Sequence, residues 1–125
     1  PVTPDLADQA LKSLLTETPG DSVSALDVLT AVAKFTGVSV DSIVGKRRDK
    51  ATAAARRMAM YMLREEVHLT SSRVGHELGG KDHSTVLYAQ KRFAQLLETD
   101  SSLRQSLATV KDMIIRSHRA AIQSG

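Results

Sequence analysis

Asp82, His83, Ser84 and Thr85 follow one another at the opening of an amphipathic segment and bring together a carboxylate, an imidazole and two hydroxyls. Such groups serve three kinds of chemistry: nucleophilic catalysis, metal binding, and hydrogen bonding to nucleic-acid bases. A catalytic triad needs carboxylate, imidazole and hydroxyl bonded in series, and three neighbours on one helical turn cannot adopt that order. Zinc is disfavoured as well, because His68, His76, His83 and His118 lack ligand spacing and the chain has no cysteine. Base reading fits the residue types. A carboxylate accepts from cytosine N4, imidazole and hydroxyl bond acceptors on guanine or thymine, and a threonine methyl meets the thymine methyl. The plainer alternative is that Asp82 and Ser84 cap the helix and His83 is solvated. One residue can both cap and read.

Cations surround this turn. Lys81 precedes it, Lys91 and Arg92 lie two turns further along, and Arg56, Arg57 and Arg64 punctuate the long helix before it. By segment, residues 1–44 carry two Lys/Arg against six Asp/Glu, residues 45–92 eleven against five, and residues 93–125 four against three. The modest net charge of +3 therefore conceals a basic middle. Lys46-Arg47-Arg48-Asp49-Lys50 is too charged to bury. It reads either as a solvated loop or as an arm for a narrow, A·T-rich minor groove, where arginine is favoured.

The elements that position these residues are helical. Hydrophobic residues make up 42% of the chain and aromatics 3%, and Leu, Val, Ala and Met recur at helical intervals, so the expected fold is all-α with an aliphatic core. Thr3-Pro4-Asp5 predicts the start of a helix over 4–18 that carries Leu6, Ala10, Leu11, Leu14 and Leu15 on one face. Ser24 and Asp27 form a capping-box pattern for a helix that turns Val28, Leu29, Val32 and Phe35 inward and stops at Gly37. A short turn is expected over Ser39–Val44. An alanine-rich helix follows from about Thr52 to Val67, with Ala55, Ala59, Met62 and Leu63 as its apolar stripe. Thr70 to Ser72 cap a brief helix holding Val74 and Leu78, which Gly79-Gly80 ends. Asp82 caps the next helix, where Val86, Ala89, Phe93, Leu96 and Leu97 keep a helical period to about Thr99. A last helix after Asp100 buries Leu103, Leu107, Val110 and Ile114, then frays in a polar tail. Residues 70–97 thus read as a helix-turn-helix: a short helix, a GGKD turn and a recognition helix.

Lys46-Arg47-Arg48, Ala55-Arg56-Arg57-Met58-Ala59-Met60-Tyr61 and Gly79-Gly80-Lys81-Asp82-His83-Ser84-Thr85-Val86-Leu87-Tyr88-Ala89 closely resemble the C-terminal DNA-binding domain (domain IV) of the bacterial DnaA family of chromosomal replication initiators. The resemblance covers roughly residues 25–119. It implies binding of double-stranded DNA at DnaA boxes, sites of the TTATCCACA kind, at the replication origin. On the matching positions it implies base contacts from Asp82, His83 and Ser84 in the major groove and from Arg48 in the minor groove. It implies backbone contacts from Lys46, Lys50, Arg56, Arg57, Arg64, Lys81, Thr85 and Arg92, with Ser72 as a further approach to a base. Several positions depart from the family's common residues. Arg57 stands for glutamine, Lys81 for arginine, Ser84 for threonine, Leu78 for phenylalanine and Tyr88 for histidine. Ser84 keeps the hydroxyl but loses the methyl that would touch thymine.

The expected organisation is a connector helix at 1–22 from an upstream AAA+ ATPase domain, a DNA-binding domain over 23–121 and a polar tail over 122–125. This fragment is expected to be no enzyme and to need no cofactor, with ATP implied only for the full-length protein. No G-x-x-x-x-G-K-[ST] is present, and Gly79-Gly80-Lys81 lacks both the strand before and the hydroxyl after that a phosphate loop needs. No apolar run approaches the ~18 residues of a membrane span and no small-molecule substrate is expected. The fragment is expected to be monomeric, cytoplasmic and nucleoid-associated. The competing reading is a helical protein-interaction module whose basic face meets an acidic partner.

Overall fold

The computed structural model describes residues 23–124, with side chains through 119. The helix expected at 4–18 lies outside the described residues. These hold six α-helices and no strand: α1 (Ala25–Thr36), α2 (Val40–Val44), α3 (Lys50–Glu65), α4 (Ser71–Glu77), α5 (His83–Thr99) and α6 (Ser101–Ser124).

Each start follows from a capping side chain that satisfies amide groups the helix leaves unpaired. The Ser24 hydroxyl accepts from the Asp27 amide at 3.2 Å while the Asp27 carboxylate accepts from the Ser24 amide at 2.8 Å. Asp49, Thr70 and Asp82 cap α3, α4 and α5 in the same manner. Gly37 ends α1 at φ +80°, a left-handed conformation that costs glycine little.

The alanine-rich α3 is the central element, packed by α1, α2, α4 and α5. It begins at Lys50 rather than Thr52, because Asp49 supplies the cap. It buries Met58 and Met60 beyond the expected stripe, since neighbours cover it on several sides. Its Met62 and Leu63 meet Val28, Val32, Ile43, Val74, Leu78, Val86, Phe93 and Val110 in one largely aliphatic core. Phe93 reaches Tyr61 of α3, with ring centroids 4.8 Å apart.

Three local expectations change. Ser39–Val44 is not a turn but the N-cap and five residues of α2, which Ile43 anchors in the core. Phe35 lies on the inward stripe of α1 but in its final turn, and is 39% exposed; the stripe outruns the elements that cover it. The tail expected to fray stays helical to Ser124.

Candidate nucleic-acid interface

Two elements present the polar groups singled out above: the loop from Gly45 to Asp49 between α2 and α3, and the turn that leads from α4 into α5. Leu78 is fully buried and pins that turn to the core, and Gly79 and Gly80 follow at φ +81° and +87°. The Gly75 carbonyl accepts from the amides of Gly80 at 2.9 Å and Lys81 at 2.8 Å, folding the turn back over α4. Gly75 itself is required there. A Cβ on it would stand 2.0 Å from the Lys81 carbonyl oxygen.

The turn delivers Asp82 as the N-cap of α5. Its Oδ2 accepts from the Ser84 amide at 3.0 Å, while its Oδ1 lies 3.8 Å from His83 Nδ1. Hydrogen bonds from Ser84 hold the Asp82 carboxyl below the usual carboxylate range, so it is an anion at neutral pH. Asp82, His83, Ser84 and Thr85 are all exposed. Val86 and Phe93 turn the opposite face of α5 into the core, and helical spacing therefore aligns His83, Leu87 and Lys91 beside Ser84, Tyr88 and Arg92 on the outside. Tyr88 is 71% and Leu87 43% exposed in the middle of that face. Sequence reasoning passed over both as contact residues, although the four-residue spacing from Ser84 through Tyr88 to Arg92 places Tyr88 among them.

Lys46 and Arg48 of the loop and Lys50 at the start of α3 are exposed. Arg47 turns back, its Nε 2.9 Å from Asp49 Oδ1. Asp49 also accepts from the buried Thr52, whose hydroxyl and amide hold its carboxyl below the usual range. Ser72 is exposed on α4, and Arg57 is half-buried on α3.

Three of the cations expected at the DNA backbone, all half-buried, carry hydrogen bonds within the fold. Arg56 donates from Nε to the Ile43 carbonyl at 2.7 Å and from Nη2 to those of Ser42 and Gly45 at 2.9 and 3.2 Å. Burial, its chief cause, lowers the pKa of this guanidinium. Arg64 donates to Gln90 Oε1 at 3.0 Å and to the Leu69 carbonyl at 2.9 Å, linking α3 to α5. Lys81 donates to the carbonyls of Gly45, Leu78 and Val44 at 2.7, 2.9 and 3.1 Å. These side chains bind the fold to itself at the base of the cationic surface.

Among the described residues no three His, Asp or Glu side chains gather as a metal site, and no helix is long and apolar enough to cross a membrane.

Residues 26–92 match the family model described as the bacterial DnaA protein helix-turn-helix. The chain is similar to proteins named chromosomal replication initiator protein DnaA from three bacteria. It is 39% identical over 116 residues to that of Levilactobacillus brevis, covering 93% of this chain and 26% of the relative. It is 33% identical over 119 residues to that of Leifsonia xyli, covering 95% and 25%. Against that of Roseiflexus castenholzii it is 36% identical over 117 residues, covering 94% and 24%. The chain thus spans about a quarter of the length of these relatives.

Proposed function

Because the chain belongs to the bacterial DnaA helix-turn-helix family, we propose that it is the part of a replication initiator that recognises DnaA boxes in double-stranded DNA. The observation that carries this reading is the outer face of α5. Its first turn exposes a carboxylate, an imidazole and two hydroxyls, and further along the same face come Lys91 and Arg92. A recognition helix uses its N-terminal residues on base edges and its flanking cations on phosphates.

In this reading Asp82, His83 and Ser84 contact bases in the major groove, and Arg48 contacts them from the minor groove. Thr85, Arg92, Arg57, Lys46 and Lys50 meet the sugar-phosphate backbone. Ser72 approaches from α4, and Tyr88 adds an aromatic surface between the readers and the cations. An ATPase domain upstream in the intact protein would supply nucleotide control.

The test is a titration of two labelled duplexes of equal composition, one holding a DnaA box and the other a scrambled site, at several salt concentrations. The box should bind more tightly throughout. His83→Ala should lose about 1–3 kcal/mol on the box and little on the scrambled duplex. Equal affinity of the unaltered chain for both duplexes would overturn sequence recognition and leave the basic face to a non-specific or acidic protein partner.

A further inference from the structure

Lys81 and Arg56 converge on one patch of main chain. Between them they bond the carbonyls of Ser42, Ile43, Val44 and Gly45, which form the C-terminal turn of α2 and its exit, together with that of Leu78. The last carbonyls of a helix lack intrahelical partners and carry the negative end of its dipole, so two cations are well placed there. The patch adjoins both presenting elements. Gly45 is the residue immediately before Lys46, and Lys81 is the residue immediately before Asp82.

An ammonium has three N–H donors, and Lys81 engages three carbonyls with them. No donor remains for a phosphate in this arrangement. The fit around it is close. Gly79 lies against the same α2 exit, where a Cβ would come 2.1 Å from the Val44 oxygen. Burial above all, and then the charges of Arg56 and Lys46, push the Lys81 pKa down; the side chain is held despite that cost.

We infer that Lys81, assisted by Arg56, is a positioning residue that locks the basic loop to the opening of α5, so that the two groove-reading elements move as one unit. The inference rests on the two-groove reading above for its functional consequence. Its structural part, the lock, stands on the hydrogen bonds alone. A lysine in this role acts on DNA through Arg48 and Asp82 and contributes no counterion release of its own.

The test uses the 125-residue chain, its Lys81→Met and Lys81→Arg variants, Arg48→Ala, and the Arg48→Ala/Lys81→Met double variant, on the box and scrambled duplexes across a salt series. Lys81→Met should weaken the box by about tenfold, the scale of one lost base contact, while scrambled binding and the slope of log affinity on log salt stay unchanged. Lys81→Arg, which can donate to the same carbonyls, should restore the preference. The double variant should lose less than the two single losses combined, because an unlocked loop already misplaces Arg48. Equal loss on both duplexes with a slope shallower by about 0.9 would make Lys81 a phosphate contact and overturn the inference. Should Lys81→Met fail to fold, Lys81→Gln takes its place. Backbone order of residues 45–48 and exchange of the Gly45 amide, measured without DNA, judge the lock separately. Both should loosen in the variant while α3 does not, and unchanged values overturn the lock. Absence of any box preference in the unaltered chain would instead fell the proposed function, with those two readouts still deciding the lock.

Discussion

Gly75→Ala is the sharpest perturbation of the helix-turn-helix. The new methyl would meet the Lys81 carbonyl oxygen at 2.0 Å, and opening that to the 3.4 Å of ordinary contact takes a shift of about 1.4 Å. A main-chain shift of this size stretches the bonds from the Gly80 and Lys81 amides to the Gly75 carbonyl, now 2.9 and 2.8 Å, beyond hydrogen-bonding distance. Two lost bonds at about 1 kcal/mol each and about 2 kcal/mol of overpacking oppose a gain of about 1 kcal/mol from replacing a helical glycine. The net loss is about 3 kcal/mol, or a fall of roughly 12–24 °C in Tm for a domain of about 100 residues. Gly80→Ala is the matched control. Its Cβ meets nothing within 4 Å, so only the strain of φ +87° acts, at about 1–2 kcal/mol. Urea unfolding followed by far-UV circular dichroism measures both. A Gly75→Ala chain as stable as the unaltered one, or no worse than Gly80→Ala, would refute the close packing of α4 beneath the turn.

Acid should loosen the starts of α3 and α5 first. Asp49 and Asp82 are more acidic folded than unfolded, chiefly through hydrogen bonds from Thr52 and Ser84. Their stabilisation is therefore complete above the unfolded aspartate value of about 3.9 and is lost as pH falls through the lower folded value. Asp82→Ser, which caps without titrating, should flatten the acid limb of a circular dichroism titration, and an identical limb would count against the cap. Arg92 and Arg64 should separate cleanly. Arg92→Ala, at an exposed site, should weaken both duplexes alike and make the salt slope shallower by about 0.9. Arg64→Met should leave the slope intact and cost about 1–2 kcal/mol in urea unfolding, because the Leu69 carbonyl and Gln90 lose their donor.

Much of this architecture was legible in the residues. The capping pairs at Ser24, Thr70 and Asp82, the stops at Gly37 and Gly79, and the helical periods of α1 and α5 are local signals, and each element stands where its signal put it. What was hidden depends on the assembled fold. α2 spans five residues, too few for a period to show, and its helix follows from Ser39 capping and Ile43 burial. Phe35 sits on the expected stripe, but no pattern in α1 tells how far its neighbours extend. The hydrogen bonds that Arg56, Arg64 and Lys81 make within the fold were the largest gap. A long cationic side chain sweeps a wide arc, and whether it meets a carbonyl 36 residues away, as Lys81 meets Gly45, is a tertiary fact. The resemblance to DnaA correctly identified the family, while the internal hydrogen bonds of three cations could be seen only in three dimensions.

Asp82 carries a constraint for anyone who would retarget such a domain. Its Oδ2 holds the Ser84 amide and so starts the helix, which leaves the rest of the carboxylate toward solvent. A library randomised across the opening turn would not sample its positions equally. Variants at His83, and those at Ser84 that keep its amide, leave that cap in place, whereas replacing Asp82 by a residue other than Asn, Ser, Thr or Gly costs about 0.5–2 kcal/mol at the start of the helix. Under the proposed reading, altered specificity should therefore evolve more freely through 83 and 84, while position 82 must serve the helix cap as well as the base it contacts.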